Sequence, residues 1–429
     1  MALTEKKYKD RLIDKKIKEY LDVFGAISIV GPKWCGKTWT SLNHANSVVY
    51  MDEEENQNRA ELDVKSIFTH DKKLKPALID EWHLVPKIWD ATRRECDKEV
   101  ESGNYILTGS TTLPKKIQKE KIKHSGAGRI GIIKMHTMSL YESGDSNGNA
   151  SIMAMYNNKQ NSMQTKDVEL KTLANLIVRG GWPRNINNNG NKAGIIPKSY
   201  INSVINTDMI DDDKKRDKNK MTMLLKSLAR NESTIVSNNT LIKDIEENET
   251  SKDVLSSKIT LNDYLDVLTR LYLIENQDAY SENYRSPDRV GKMVKRHFAD
   301  PSLACACLNL NVEKLVNDLK TFGFMFEALV ERDLKIYMEY LNGNLYHFRD
   351  NVTGLEVDSI LEFEDGNYAA VEIKLGYNKV DEAIENLLNF KKHMIKEPKF
   401  MCVIVGKGQG IVKDKETGIY IVPITELKP

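Results

Sequence analysis

Gly31-Pro32-Lys33-Trp34-Cys35-Gly36-Lys37-Thr38 fits the pattern G-x-x-x-x-G-K-[ST] at every fixed position. Gly31 and Gly36 let the backbone curl so that its N–H groups face an anion at the start of a helix. Lys37 brings positive charge to β- and γ-phosphates, and the Thr38 hydroxyl can ligate Mg²⁺. The flanks suit the motif. Ala26 to Val30 reads as a buried strand, and Trp39 to Ala45 can continue as a helix, so Trp39 closes the set expected to touch a nucleotide. ATP or GTP is the expected ligand.

A second apolar strand, Pro76 to Ile79, ends in Asp80 and Glu81. A carboxylate at such a strand end holds Mg²⁺, and its neighbour can orient the attacking water, so Asp80 is assigned to the metal and Glu81 to the water. A third strand, Asn104 to Thr112, should lie beside the first, with Ser110 placed to sense the γ-phosphate. Arg129 follows a Gly-rich turn and suits stabilisation of transition-state charge, from the same subunit or a neighbouring one.

The last third of the chain holds a separate constellation. Gly323 to Glu331 reads as a helix carrying Glu327. Strands follow at Leu345 to Arg349, Glu356 to Phe363 and Tyr368 to Leu375, then a helix with Ala383, Leu387, Leu388 and Phe390, then a strand from Phe400 to Val405. Asp358 and Glu372 can share a hard divalent cation, Glu327 can complete its shell, and Lys374 can polarise a nucleophile or a phosphate. Amphipathic strands also carry E-x-K on a wet face for solubility alone. Sharing an ion requires Asp358 and Glu372 on one face of a hairpin. Asp365-Gly366 as a two-residue turn would put them on opposite faces. A three-residue loop, Glu364-Asp365-Gly366, pairs Phe363 with Asn367 and Asp358 with Glu372. The odd register is expected, with the carboxylates ~4–6 Å apart. It also sets Val357, Ser359, Leu361 and Phe363 with Val371, Ile373 and Leu375 on one mostly apolar side.

Between these regions the pattern is helical. Met221 to Ala229, Asn239 to Ile245 and Thr260 to Arg270 read as helices, and Leu271 to Asn276 as a strand, the plan of a winged helix-turn-helix. The third helix exposes Asn262, Asp263, Asp266 and Thr269, which suits protein contact better than a DNA groove. Tyr284, Arg285, Arg289, Lys292, Lys295 and Arg296 form a local basic patch on the expected wing, to be read either as a DNA contact or simply as a solvated wing.

GPKWCGKT, ALIDEWHLVPKIWDATRRECD, YILTGSTT and AGRIGIIKMHTMSLYESGDS, with Arg179-Gly180-Gly181-Trp182-Pro183, resemble a prokaryotic family of AAA-type ATPases. Its members join this module to a winged-helix region and a C-terminal domain similar to PD-(D/E)XK nucleases, a layout that the constellation above also fits. The resemblance implies that Arg129 is the arginine finger and that Arg184 is a second sensor. This chain departs from the family pattern at His83, where Gln is usual, and at His136-Thr137, where Arg-Pro is usual.

The expected fold is α/β in three parts: an AAA-type P-loop module over 1–195, a winged-helix region over 196–300 and a nuclease-like domain over 301–429. Sixty-three basic residues stand against 62 acidic ones in 429 residues, so any nucleic-acid site must be a local patch. No run of 18 apolar residues suggests a membrane span, and the charged N-terminus lacks the apolar stretch of a secretory signal. Five cysteines without C-x-x-C spacing read as reduced thiols in a cytoplasmic protein. Ser143 to Lys166, Asn185 to Lys192 and Asp211 to Lys220 read as joints, the first as an excursion within the ATPase module. The expected activity is Mg-ATP hydrolysis as a conformational switch acting on DNA or a protein partner, in a chain able to form homo-oligomers. Two alternatives stand beside it: a metal-dependent nuclease or nucleic-acid-binding protein licensed by ATP, and a signalling ATPase with a catalytically dead interaction scaffold.

Overall fold

The computed structural model describes residues 8–99, 101–109, 122–208, 210–211, 214–215, 217–246, 258–286, 294–350 and 352–429. It divides into two compact units. The first comprises 1–137, 210–215 and 266–273, and the second comprises 138–209, 216–265 and 274–429.

The first unit is built on a five-stranded parallel sheet. Its strands are β1 (Ala26–Val30), β2 (Ser47–Tyr50), β3 (Ala77–Asp80), β4 (Tyr105–Gly109) and β5 (Ile130–Lys134), in the order β2-β3-β4-β1-β5. Parallel strands need crossovers, which cover both faces, so these strands are apolar runs and not alternating ones. Helix α1 (Ile13–Val23), α2 (Lys37–His44) and α3 (Lys87–Lys98) supply cover. Ile27 and Ile29 pack into one cluster with Ile17 of α1 and Ile106, whereas Ala26, Ile79 and Leu107 join Trp89 of α3 in the other. The expected strands Ala26 to Val30 and Pro76 to Ile79 fall within a residue of β1 and β3; the third, Asn104 to Thr112, is observed to Gly109, with 110–112 outside the described residues, and β2 and β5 were not expected. In such sheets ligands bind beyond the carboxyl ends of the strands where the order reverses, here around β1.

The second unit has a seven-stranded mixed sheet. Its strands are β6 (Met163–Gln164), β9 (Asn344–Arg349), β10 (Glu356–Glu362), β11 (Tyr368–Lys374), β12 (Met401–Val405), β13 (Gly410–Lys413) and β14 (Tyr420–Pro423), in the order β9-β10-β11-β12-β14-β13-β6. The skipped labels belong to a separate hairpin, β7 (Ile274–Gln277) with β8 (Lys295–Phe298). Strands β11 and β12 are parallel and joined through α10 (Val380–His393). The 22-residue helix α9 (Leu319–Tyr340) precedes β9. Other helices of this unit include α4 (Leu170–Arg179), α5 (Ile195–Ser203), α6 (Lys218–Arg230) and α7 (Asn238–Glu246); α8 (Lys258–Arg270) follows these in sequence. The expected series of three helices and a hairpin is therefore observed as α6, α7, α8 and β7–β8.

Two sequence expectations are corrected here. Ser143 to Lys166 is not an excursion of the ATPase module. Its Met163–Gln164 strand pairs with β13, and Ala150–Ser151 pairs with Leu427–Lys428. Residues 138–195 thus pack with the C-terminal part of the chain, since two-residue strands leave no periodicity to read. Nor is the basic patch a solvated wing throughout. Lys295 is buried, and Arg296 donates to the Val236 carbonyl at 3.2 Å and to Asn238 Oδ1 at 2.9 Å. Tyr284 and Arg285 are exposed, while Arg289 and Lys292 lie outside the described residues.

A buried polar network braces the G-G-W-P turn. The Gly181 N–H donates to Asp300 Oδ2 and Trp182 Nε1 donates to Ser302 Oγ, both at 2.9 Å. Arg332 spans Asp300 at 3.0 Å and Asp333 at 2.7 Å, and Asp333 accepts the Leu140 N–H at 2.9 Å. A Cβ on Gly181 would stand 2.0 Å from the Met138 carbonyl oxygen, so only glycine fits.

Candidate active sites

The P-loop leaves β1 and enters α2. Gly31 has φ 150° and Gly36 φ 106°, conformations that cost a side chain dearly, and a Cβ on Gly31 would meet the Met135 carbonyl at 2.2 Å. Trp34 also takes a positive φ of 64°, and Trp34 and Trp39 are exposed at the loop. Lys37 is buried, and its ammonium donates to the Gly31 and Pro32 carbonyls at 3.0 and 2.9 Å. Pro32 and Cys35 are buried, and Lys33 is half-buried. Arg11, which sequence reasoning missed, reaches the Cys35 carbonyl at 3.0 Å and the His136 carbonyl at 2.9 Å, tying the loop to the end of β5. Its place next to a charged helix carried no motif.

Asp80 ends β3 facing the loop. The Thr38 hydroxyl donates to Asp80 Oδ1 at 3.0 Å, and the Thr108 hydroxyl of β4 donates to the same oxygen. Burial and the neighbouring Glu81 raise the Asp80 carboxyl above its ordinary range, opposed by these two hydroxyls. Thr108 was not singled out in the sequence; the expected sensor, Ser110, lies outside the described residues. Glu81 takes a left-handed conformation, φ 54° and ψ 41°, which turns the chain sharply after β3. Its N–H donates to Thr108 Oγ1 at 3.3 Å, and its carboxylate stands 3.2 Å from His83 Nδ1. Burial keeps His83 below its usual pKa, against the pull of Glu81 and with the help of the Lys37 and Lys33 charges. His83 is thus a partner of Glu81, which the departure from Gln at that position did not foretell.

Lys37, Thr38 and Asp80 fit a nucleotide with Mg²⁺: an ammonium, a hydroxyl and a carboxylate converge at a helix N-terminus with a glycine-formed cradle. Arg129 does not join them within one chain. Its carbonyl accepts the Ala26 N–H at 3.0 Å, at the start of β1, and the P-loop begins beyond the far end of that five-residue strand, about 16 Å away. The side chain is half exposed and pairs with Asp97 at 2.8 Å. A same-chain arginine finger is therefore ruled out by position. Arg184 is exposed and belongs to the second unit.

In the second unit the odd register holds. Ser359 pairs with Val371 and Glu362 with Tyr368, and the Phe363 N–H donates to the Asn367 carbonyl at 2.8 Å across a three-residue loop. The same registration sets Asp358 opposite Glu372. Asp358 Oδ2 accepts the Ile373 N–H at 2.7 Å. The Lys374 ammonium lies 3.3 Å from Asp358 Oδ2 and 2.6 Å from Glu372 Oε2, so these oxygens are within about 6 Å of each other. The expected mostly apolar side is present, with Val357, Leu361, Phe363, Val371 and Ile373 all buried, and the face that carries Glu372 is covered as well. Tyr368 and Ala370, four and two residues before Glu372, pack with Leu387 and Phe390 of α10. Glu372 is only 3% exposed, and burial with the Asp358 charge pushes its pKa up to about 8. Asp358 and Glu372 in turn raise Lys374, outweighing its burial. Asn386 of α10, not anticipated from sequence, donates to Glu372 Oε1 at 2.8 Å.

Glu327 does not complete a metal shell with these two. Its carboxylate pairs with the buried Lys295 ammonium at 2.9 Å, which also reaches Glu331 at 3.2 Å. Among the described residues no three His, Cys, Asp or Glu are grouped to hold a metal. The donor set does not fit the expected ion, because each carboxylate already faces an ammonium. A cleft of about 1390 Å³ borders this cluster, lined in part by Glu327, Lys374, Lys320, Lys379 and Lys407.

Residues 24–143 match the family model of the AAA domain. Residues 170–314 and 322–427 match two domains of unknown function, DUF8612 and DUF4143. Among solved structures the chain is similar to a Walker-type ATPase of Pyrococcus abyssi at 14% identity, with a TM-score of 0.41 over 71% of this chain and 97% of that one. It is also similar to the Aeropyrum pernix ORC2 protein, solved as ADPNP-ADP complexes, at 12% identity and TM-score 0.32, covering 73% and 98%. A search of curated proteins found none that matches. The N-terminal region is an AAA-type P-loop ATPase module. Among the described residues no helix is long and apolar enough to cross a membrane.

Proposed function

We propose that this chain binds and hydrolyses Mg-ATP and uses the cycle as a conformational switch on DNA or a protein partner. The observation that carries this reading is the convergence of Lys37, Thr38 and Asp80 beyond the carboxyl ends of the strands. Mg²⁺, held through Thr38 and Asp80, would neutralise phosphate charge. Glu81 orients the attacking water, with His83 fixing its carboxylate and Thr108 holding the Asp80 and Glu81 turn. Ser110 senses the γ-phosphate, and Arg129 acts from a neighbouring copy in a homo-oligomer. A winged-helix reading of α6 to β8 and a PD-(D/E)XK-like reading of the C-terminal sheet make DNA the first partner to test, in the cytoplasm.

A second reading, nuclease action licensed by ATP, draws support from Asp358, Glu372 and Lys374 sharing one face. The paired state of every carboxylate favours the scaffold reading instead. ATP turnover measured with and without duplex DNA separates these. The switch reading expects turnover that DNA raises several-fold with the DNA left intact. Cleavage that Glu372→Ala abolishes would favour the nuclease, and turnover indifferent to DNA would point to a protein partner.

A further inference from the structure

Lys295 presents a chemical problem of its own. It sits on β8, outside both the sheet and α9, yet only 8% of it is exposed. Its ammonium lies 2.9 Å from Glu327 Oε1, 3.2 Å from Glu331 Oε1 and 3.4 Å from the Asp358 carbonyl oxygen. Three oxygens around one ammonium, two of them from carboxylates, match the number of its protons. The distances are those of hydrogen bonds and not of a divalent ion, which draws oxygens to ~2.0–2.6 Å.

The neighbours continue the pattern. Glu331 Oε2 accepts from Ser233 at 3.4 Å and stands 3.5 Å from His297 Nε2, two residues along β8. His297 Nδ1 meets Glu232 at 3.0 Å. On the other side, Asp358 leads to Lys374 and Glu372. Burying Lys295 alone opposes its charge, and Glu327 and Glu331 more than offset this, raising its pKa.

We propose that Lys295 is the resident cation of this pocket, occupying the position between Glu327, Glu331 and the Asp358 main-chain carbonyl that a divalent ion would otherwise take. The hairpin strand thereby closes the carboxylate set to metal, and loss of the ammonium opens it. The inference is independent of ATP turnover and of DNA binding, so neither failing alters it.

Mn²⁺ titrated into the nucleotide-free full chain, with bound ion counted by electron paramagnetic resonance, provides the test. Lys295→Met keeps a stem of similar bulk and removes the charge. It should gain one Mn²⁺ per chain, bound at least about tenfold more tightly than any wild-type site, and adding Glu327→Gln should remove that gain. A folded Lys295→Met protein that gains no ion overturns the proposal. Should Lys295→Met fail to fold by circular dichroism, wild type and Glu327→Gln decide alone. Identical titrations uphold it, and a wild-type site weakened by Glu327→Gln overturns it.

Discussion

The Thr38 hydroxyl and the Asp80 carboxylate, 42 residues apart in sequence, meet at 3.0 Å at the carboxyl end of the parallel sheet. Thr108, on the strand between theirs, donates to the same carboxylate. Hydroxyls from two elements therefore hold the carboxylate proposed to bind the metal.

Thr108→Val removes one of these while preserving the side-chain shape. The Asp80 carboxylate and the Glu81 N–H then lose a shared partner. Steady-state kinetics should show turnover of Mg-ATP falling about 10- to 100-fold, the usual effect of losing an orienting partner of a metal ligand. Unchanged kinetics would remove Thr108 from the site.

Arg129 stands at the opposite end of β1 from the P-loop, so the proposed finger role requires a second copy of the chain. Turnover per chain should rise with protein concentration. Mixing Arg129→Ala with Lys37→Ala protein should restore activity that neither has alone, since mixed interfaces pair an intact P-loop with an intact arginine. A rate independent of concentration, without rescue, would exclude a finger role.

Much of the first unit is legible in the sequence because its signals are local. Strand β1, the glycine loop and the Asp80–Glu81 pair each occupy a few consecutive residues. The hairpin register of Asp358 and Glu372 was also readable, because only an odd count puts both carboxylates on one face. What stayed hidden is non-local. Arg11 finds Cys35, Asn386 finds Glu372, and Lys295 finds Glu327 across tens of residues, and no spacing rule encodes such partners. Lys295 read as a wet wing residue for that reason. Ser143 to Lys166 read as an excursion within the ATPase module because its two-residue strands take their partners from residues 410–428.

Glu372 sets a pH dependence. Its folded pKa, pushed up to about 8, lies above the ordinary carboxylate value, so the folded state binds this proton more tightly. The stabilisation is complete below the unfolded pKa and is lost as pH rises through about 8. Urea unfolding should show stability declining between pH 5 and pH 9, with a shallower decline in Glu372→Gln. Parallel profiles would mean that Glu372 is ionised throughout, paired with Lys374.

Arg332 neutralises Asp300 and Asp333 in a fully buried network. Arg332→Met leaves two carboxylates without their cation. Removing one partner of a buried ion pair costs about 3–5 kcal/mol, and a loss of that size is expected from urea unfolding. The same assay on Lys335→Met, whose pair with Glu275 is more open, should show a smaller loss.

The most direct measurement is ATP binding and single-turnover hydrolysis in Lys37→Ala and Glu81→Gln side by side with wild type. If Lys37 neutralises phosphate charge and Glu81 orients water, Lys37→Ala loses nucleotide binding. Glu81→Gln should keep binding within a few-fold and lose hydrolysis by about 10²-fold or more. Wild-type turnover in Glu81→Gln, or undiminished binding and hydrolysis in Lys37→Ala, would contradict the account.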